Sequence, residues 1–179
     1  MNTKEKILAE AVKLFAAKGF AETGTDEVVQ KSNVAKGLLF YHYKSKQGLL
    51  KAVLGQAEEI IQKSCEVDIS GQSAQRALRS LIRQMVNSLK KDRDYWQVYS
   101  AVLLNPGLTE KLNTELRHPS EAYYHIAPGL FRKMGKKNPK RWTLFFDVQF
   151  RGIASGYLTS PKSFPLDDAR QMMVDMLTR

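Results

Sequence analysis

The stretch that decides the fold is GTDEVVQKSNVAKGLLFYHYKSKQGLL, residues 24–50. The spacing of its apolar residues predicts a short helix over 26–32 and a second helix over about 35–43. Between the two lies Ser32-Asn33, and Asn tolerates the left-handed backbone conformation that a sharp reversal between helices requires. Two short helices joined by a tight turn are typical of a helix-turn-helix, whose second helix enters the major groove of DNA.

Charge and bulk indicate that part of this stretch faces a partner. No Asp or Glu occurs between Val28 and Ala57, whereas five lysines do: Lys31, Lys36, Lys44, Lys46 and Lys51. The run LLFYHY at 38–43 is too bulky for one face of a short helix to bury completely. We therefore expect this surface to bind a polyanion such as DNA. The alternative is a lysine-rich face that contacts only solvent.

Length and composition set the class of protein. The chain has 179 residues, of which 43% are hydrophobic, and 28 Lys and Arg against 18 Asp and Glu give a net charge of +10. This size suits one core, or a small module joined to a larger one, and excludes most large multidomain enzymes. The positive charge is spread along the chain, so the acid-free stretch indicates a nucleic-acid partner more strongly than the net charge does.

Cysteine usage and hydropathy indicate the compartment. Cys65 is the single cysteine, which excludes an intramolecular disulfide and a cysteine-based metal cluster and fits a reducing compartment. No apolar run reaches the ~18 residues of a membrane span, and residues 1–5 open an amphipathic helix rather than a signal peptide. We therefore expect a cytoplasmic protein without a membrane partner.

Outside the helix-turn-helix the periodicity also predicts helices, and no stretch alternates as a strand does. Gly19 ends a first helix over 3–18. The other predicted helices cover 46–66, 73–91, 94–104, 109–134 with a break at Pro119, 139–159 and 166–178. Ser45 is the expected N-cap of the helix that begins at 46. We predict an all-α chain of about nine helices.

Motifs for catalysis or metal binding are absent from the sequence. The chain lacks G-x-S-x-G, a glycine-rich phosphate loop, H-E-x-x-H and C-x-x-C. His118 and His125 are seven residues apart, but Pro119 lies between them and no carboxylate pattern joins them. We therefore predict a protein that is not an enzyme, with no metal site and no cofactor.

The amino-terminal residues resemble the DNA-binding module of the tetracycline-repressor (TetR) family of bacterial transcription regulators. The resemblance covers about residues 3–55 and includes the stretch quoted above and ILAEAVKLFAAKGF at 7–20. Its ordered pattern is Leu14-Phe15, Gly19, Val28, Val34, Gly37, Leu39, Tyr43, Lys46 and Leu49. The resemblance implies a three-helix DNA-binding head over 1–55, with its helix-turn-helix at about 24–43, and a helical ligand-binding and dimerisation domain over 56–179.

The resemblance and side-chain chemistry together assign roles on the third helix. Gly37 would let the helix approach DNA closely, and Lys36 would read guanine through O6 and N7. Leu38 and Phe40 would contact thymine methyl groups, so we expect specificity to depend on thymines.

Other positions match phosphate contacts or the core of the family. Tyr41 and His42 resemble its phosphate-contacting pair, although a surface histidine is the alternative for His42. Lys46 matches a lysine at the start of the fourth helix, where the helix dipole also favours a phosphate. Leu39 and Tyr43 match core positions.

Two positions depart from the family. Gly24 stands where the family usually has a Ser or Thr that caps the second helix and contacts phosphate. We expect Thr23 or Thr25 to supply that contact, or the contact to be absent. Ala35 replaces the usual Ser at the start of the third helix and removes another hydroxyl.

The resemblance also implies an effector pocket among helices five to eight. The candidates are Tyr95, Trp96, Tyr99, Tyr123, Tyr124, Phe131, Phe146 and Gln149. The alternative for each is a place in the core, where aromatic residues at helical spacing are usually found.

The last two predicted helices are apolar on more than one face. We expect them to form a four-helix interface with a second copy; the alternative is a two-helix core within one chain. The interface candidates are Phe145, Phe150, Ile153, Met172, Met173 and Met176.

The residues together predict a homodimer that binds DNA, and the resemblance implies that it is a ligand-responsive repressor. It would bind a palindromic double-stranded DNA operator, with half-sites about one helical turn (~34 Å) or a multiple of it apart, and an unknown small-molecule effector. Two alternatives stay open: a helical small-molecule-binding protein whose head does not bind DNA specifically, and a small enzyme that uses a carboxy-terminal pocket.

Overall fold

The computed structural model describes residues 2–112 and 121–179, and every regular element within them is a helix. The helices are α1 (Thr3–Lys18), α2 (Thr25–Ser32), α3 (Lys36–Tyr43), α4 (Lys46–Ser64), α5 (Ala74–Lys91), α6 (Arg93–Leu103), α7 (Pro106–Leu112), α8 (Glu121–Tyr124), α9 (Ala127–Lys133), α10 (Pro139–Thr159) and α11 (Leu166–Thr178). The all-α prediction is confirmed, and most predicted bounds agree with the observed ones to within two residues.

The structure differs from the prediction over 109–134, where we expect helix with a break at Pro119. α7 begins at Pro106, whose fixed φ suits the first turn of a helix. α8 and α9 are separate helices, and Pro128 lies in the first turn of α9, where its missing N–H leaves no hydrogen bond unmade. The break predicted at Pro119 lies outside the described residues.

The chain divides into two compact units. The first contains residues 2–59 and 94–112, and the second contains residues 60–93 and 121–179. The division falls within α4 and places most of α6 with the amino-terminal helices. The domain bounds that the resemblance implies, 1–55 and 56–179, stay a prediction.

In the first unit, α1 packs against α2 and α3. A capping box between Asn2 and Glu5 closes the amino-terminal end of α1, and Gly19 ends the helix at a φ of 86°. The buried residues of α1 recur at helical spacing: Ile7, Ala11, Val12, Phe15 and Ala16. This face and the short helices α2 and α3 form the core that holds the helix-turn-helix together.

The turns on either side of α3 have the chemistry expected from the sequence, with one addition. Asn33 is left-handed, with a φ of 52°, and Ser45 Oγ accepts a hydrogen bond from the Gly48 amide at 3.0 Å. A Cβ at Gly48 would lie 2.0 Å from the carbonyl oxygen of Tyr43. Only glycine therefore allows α4 to begin this close to the end of α3, a constraint that was not predicted.

In the second unit, α5 packs against α9 and α11, and α10 also contacts both of these helices. The buried face of α5 consists of Ala74, Ala77, Leu78, Leu81, Ile82, Met85, Val86 and Leu89. Across residues 2–112 and 121–179, no helix is both long and apolar enough to cross a membrane.

Candidate nucleic-acid interface

The inward face of α3 is fixed to the first unit by two residues. Leu39 and Tyr43 are buried, which confirms their predicted core positions. The Tyr43 hydroxyl donates a hydrogen bond to the Lys4 carbonyl oxygen at 2.7 Å. Burial raises the pKa of Tyr43 to about 12, so the phenol stays protonated and keeps α3 tied to α1.

The outward face of α3 carries the residues predicted to contact bases. Lys36, Gly37, Leu38 and Phe40 are exposed. No neighbouring atom lies within 4 Å of the place that a Cβ of Gly37 would occupy. The backbone at the start of α3 is therefore open to a close approach by another molecule. The base contacts themselves stay a prediction.

Lys36 has a partner that was not predicted. Its Nζ lies 2.6 Å from Oδ1 of Asp26, in the first turn of α2. Both side chains are mostly exposed, so the pair contributes little to stability. It does join α2 to the start of α3 and place a carboxylate beside the predicted base-reading ammonium. The signal in the sequence was an acidic residue at the amino-terminal end of α2.

The amino-terminal ends of α2 and α3 lack side-chain caps. Their N-caps are Gly24 and Ala35, the two positions that depart from the family. Thr23 is buried and its hydroxyl donates to the Gly19 carbonyl oxygen at 2.8 Å, which disfavours Thr23 as a phosphate contact. Thr25, the first residue of α2, is half-buried and stays a candidate.

The carboxy-terminal end of α3 brings together an aromatic pair and a cation. The rings of Tyr41 and His42 pack edge to face, with centroids 5.1 Å apart. Nζ of Lys44 lies 5.5 Å from the centroid of the Tyr41 ring, and Tyr41 is 68% exposed. The two predicted phosphate-contacting residues are therefore at the surface beside an ammonium group. Lys44 was not predicted as a site residue, although it belongs to the lysine-rich stretch.

Lys46 has intramolecular contacts at the start of α4. Its Nζ donates to the Ala21 carbonyl oxygen at 3.0 Å and lies 4.5 Å from the centroid of the Phe20 ring. These contacts join α4 to the segment that follows α1. An ammonium group has three donors, so one carbonyl acceptor leaves capacity for a phosphate oxygen. The phosphate contact of Lys46 stays a prediction. Its contacts with Ala21 and Phe20 give Lys46 a structural role as well.

The predicted effector residues of the first unit lie mainly in its core. Trp96 and Tyr99 are buried and Tyr95 is half-buried. The Tyr99 hydroxyl donates to a carboxylate oxygen of Glu58 at 3.1 Å. Burial favours the alternative of a core position for Trp96 and Tyr99.

The predicted effector residues of the second unit are also mostly buried. Tyr123, Phe131 and Phe146 are buried, Gln149 is half-buried, and Tyr124 is exposed. The rings of Tyr123 and Phe146 pack edge to face with centroids 4.8 Å apart. These three buried aromatics fill the core, and a role of the five residues in effector binding stays a prediction.

A buried carboxylate that was not predicted lies beside Tyr123. Asp147 of α10 is 1% exposed, and it accepts a hydrogen bond from the Tyr123 hydroxyl. Arg151 donates to both of its oxygens, from Nε to Oδ1 at 3.0 Å and from Nη2 to Oδ2 at 2.6 Å. Burial, with the hydrogen bond to Asp147, raises the pKa of Tyr123 and keeps it a donor. The Asp147–Arg151 spacing of four residues was a signal for this pair.

Half of the predicted dimer-interface residues lie in the core of one chain. Phe150, Ile153 and Met173 are buried within the second unit. Their burial where α10 and α11 pack against their neighbours favours the alternative of a core within one chain for these three residues. Helical periodicity does not distinguish two apolar faces of one helix, so the sequence does not say which face is inward.

Four apolar side chains of α10 and α11 are exposed, and we call them the outward apolar face. Met172 and Met176, which were predicted, are 65% and 47% exposed. Leu144 and Val148, which were not predicted, are each 55% exposed. Phe145 is half-buried at the edge of this face.

The described Cys and His side chains were candidates for metal binding, and their surroundings are as follows. In the residues that the structure describes, no three His, Cys, Asp or Glu side chains lie together as metal ligands would. His118 lies outside those residues, so its relation to His125 is not observed. Cys65 is buried, and burial raises the pKa of its thiol to about 11, so this thiol stays protonated.

Residues 7–53, which run from α1 into α4, match the family model described as bacterial regulatory proteins, tetR family. Over these residues the chain matches the TetR family. The match includes all of the helix-turn-helix and the turns on either side of α3.

Two curated relatives carry the same kind of name. YerO of Bacillus subtilis (strain 168), an uncharacterized HTH-type transcriptional regulator, is 30% identical over 166 residues, which cover 87% of this chain and 54% of YerO. QacR of Staphylococcus aureus (strain Mu50 / ATCC 700699), an HTH-type transcriptional regulator, is 43% identical over 58 residues, or 32% of this chain and 31% of QacR. The chain thus spans about half, or less, of the length of these relatives.

The fold of the whole chain is shared with solved TetR-family structures. A TetR-like transcriptional regulator from Rhodococcus sp. RHA1 has a TM-score of 0.77 at 17% identity, over 98% of this chain and 93% of that one. At this identity the likeness shows the fold alone.

Proposed function

We propose that this TetR-family chain is a DNA-binding transcriptional regulator that inserts α3 into the major groove. The outward face of α3 carries this proposal. Lys36, Gly37, Leu38 and Phe40 are exposed on that face, while Leu39 anchors the opposite side of the helix in the core. A rigid helix with an inward anchor and an open, basic outer face is what direct readout of base edges requires.

Contacts on this face divide into base-reading and positioning ones. Lys36 reads guanine O6 and N7, and Leu38 and Phe40 contact thymine methyl groups. Tyr41 and Lys44, both exposed at the other end of α3, contact phosphate oxygens. The bases contacted by the first group therefore set specificity, and the second group sets the salt dependence.

The chain binds its operator as a homodimer through the outward apolar face of α10 and α11. Monomeric proteins seldom leave four apolar side chains exposed on two helices that pack together, as Leu144, Val148, Met172 and Met176 are here. A two-fold axis between two copies gives a palindromic operator, with half-sites about one helical turn (~34 Å) or a multiple of it apart.

An oligomerisation variant tests the dimer. Val148→Glu places a charge in the outward apolar face. In sedimentation equilibrium we therefore expect the wild-type chain to be a dimer and the variant to be a monomer. Leu104→Glu is the matched control, since Leu104 is 83% exposed and belongs to the first unit. A wild-type chain that is monomeric at micromolar concentration contradicts the proposed interface.

The regulator responds to a small-molecule effector, and we propose that the effector relieves repression. A ligand that binds preferentially to a conformation with low DNA affinity lowers binding by linkage, with a coupling of about 1–3 kcal/mol. The resemblance to ligand-responsive repressors supports the proposal of an effector. The same resemblance supports the proposal that the effector weakens DNA binding rather than strengthening it.

Fluorescence anisotropy tests the DNA-binding proposal. The full chain is titrated onto DNA from upstream of its own gene and onto a scrambled duplex, at several salt concentrations. We expect a preference of about 1000-fold or more for one duplex at physiological salt. Equal affinity for every duplex tried, including candidates selected from random sequence, would show that the basic surface binds without specificity.

A further inference from the structure

A groove of about 310 Å³ lies between α5 and α11 in the second unit. Both helices belong to one packed core, and the groove lies on its surface. It is lined by Arg79, Ser80, Arg83, Arg170, Gln171, Val174 and Asp175. Three guanidinium groups thus line one small groove, and Asp175 is the single acid among the lining residues.

None of the three arginines has a close carboxylate partner in the part of the chain that the structure describes. Nη2 of Arg79 donates to the neutral hydroxyl of Thr178 at 3.3 Å. Nε of Arg170 lies 3.8 Å from Asp167, whose carboxylate is bound more closely by Lys90 at 2.9 Å. The described residues provide no hydrogen bond or ion pair to Arg83.

The carboxylate that lines the groove, Asp175, is already hydrogen-bonded. Oδ1 of Asp175 accepts a hydrogen bond from Nε2 of Gln171 at 3.0 Å. One carboxylate against three guanidinium groups leaves an excess of two positive charges. Like charges held together in a small groove repel each other, and a bound anion relieves that repulsion.

We propose that this groove binds a small ligand that carries phosphate groups. The planar guanidinium group donates two parallel hydrogen bonds to phosphate oxygens, and clusters of arginines recognise this geometry better than lysines do. The hydroxyl of Ser80 and the amide of Gln171 supply further polar contacts, and the buried Val174 provides an apolar floor.

The volume of the groove limits the size of the ligand. Pockets for small molecules span about 300–1,000 Å³, so a groove of this volume suits a diphosphate or a phosphorylated metabolite rather than a large apolar compound. This site is separate in the chain from α3, and the proposal does not depend on whether α3 binds DNA.

Isothermal titration calorimetry with inorganic pyrophosphate tests the proposal. The probe is titrated into the full chain at constant ionic strength, with sulfate as a second anion. We expect saturable binding of one pyrophosphate per chain, tighter than that of sulfate. Arg83→Gln should weaken pyrophosphate binding about tenfold or more, the effect of losing one charge-assisted contact.

Two further variants make the result specific. Arg76→Gln removes the same charge from α5 but lies outside the groove lining, so binding should stay within about twofold of wild type. Arg83→Lys keeps the charge and loses the planar fork, so it should bind more weakly than wild type. Absence of saturable binding, equal affinity for sulfate and pyrophosphate, or equal weakening by Arg76→Gln and Arg83→Gln would each overturn the proposal.

Discussion

Nζ of Lys36, the predicted base-reading residue, lies 2.6 Å from Oδ1 of Asp26, one helix earlier in the helix-turn-helix. An exposed ion pair of this kind is worth at most about 1 kcal/mol, whereas a good bidentate base contact discriminates by about 1–3 kcal/mol. If Lys36 reads guanine as proposed, exchanging Asp26 for a guanine edge would be favourable at the right sequence. At a wrong sequence Lys36 would stay with Asp26, so we expect the pair to contribute to specificity.

We expect Lys36→Ala to relax discrimination at one or two base pairs by about 1–3 kcal/mol, because the base contact is lost and the exposed pair with Asp26 contributes little. Lys46→Ala should instead weaken binding to all sequences alike and lower the salt slope by about one. Anisotropy on the operator and on its single-base variants separates the two. Identical losses on specific and random DNA for Lys36→Ala would show that Lys36 is not a base reader.

Asp26→Asn should raise affinity for random DNA more than affinity for the operator, because it frees Lys36 and removes a carboxylate that repels phosphates. Glu27→Gln is the matched control: Glu27 lies in the same turn of α2, and its partner is Lys18 of α1. If both variants change the two affinities equally, the effect is one of net charge, and the Asp26 pair has no part in specificity.

Gly48→Ala should destabilise the first unit by about 1–3 kcal/mol, because its Cβ would meet the Tyr43 carbonyl oxygen at 2.0 Å and force α3 and α4 apart. Gly55→Ala on the same helix has open space around the new Cβ and should stabilise by about 0.5–1 kcal/mol. Urea denaturation measures both. A neutral Gly48→Ala would contradict the close approach of the two helices.

The raised pKa of Tyr43 predicts a pH-dependent contribution to stability. The pKa is about 12 in the folded chain against an ordinary value of 10.0, so the folded state keeps this proton longer than the unfolded state does. The contribution is complete below pH 10 and is lost as the pH rises towards 12.

Tyr43→Phe tests this by urea denaturation at two pH values. At about pH 8 the variant should be less stable by about 1 kcal/mol, since it loses the hydrogen bond to Lys4. At about pH 11 the difference should narrow, because only the wild type has a phenol to ionise on unfolding. A difference that is the same at both pH values is incompatible with a raised pKa.

Asp147→Ala should destabilise the second unit by about 1–3 kcal/mol, because the buried Tyr123 hydroxyl loses its acceptor. Asp167→Ala, at an exposed carboxylate paired with Lys90, is the control and should change stability much less. Thermal or urea unfolding gives both values. Equal, small effects would mean that the buried hydrogen bonds contribute no more than a surface ion pair.

Features set by local periodicity were predictable from the sequence. The long helices, the left-handed Asn33 and the Ser45 cap depend on residues within one or two turns, and the structure confirms each of them. The all-helical fold and the helix-turn-helix therefore followed from residues 24–50 and the spacing of apolar residues around them.

Features set by packing between helices were not predictable. Gly48 matters only because α3 ends beside it, and Asp26 matters only because the turn brings it to Lys36. On α10, Phe150 and Val148 are equally apolar in sequence, yet only Phe150 faces the core. The burial of Phe150 was not predictable because amphipathic spacing identifies faces but does not say which of two apolar faces is inside.

Selection of binding sites from random-sequence DNA, with the full chain at physiological salt, tests the central claim most directly because every possible half-site competes in one experiment. We expect enrichment of an inverted repeat whose half-sites are one helical turn or a multiple of it apart, with thymine and guanine at contacted positions. Lys36→Ala should change the preferred base at one or two positions of each half-site. A selection that enriches no motif would contradict sequence-specific recognition by α3.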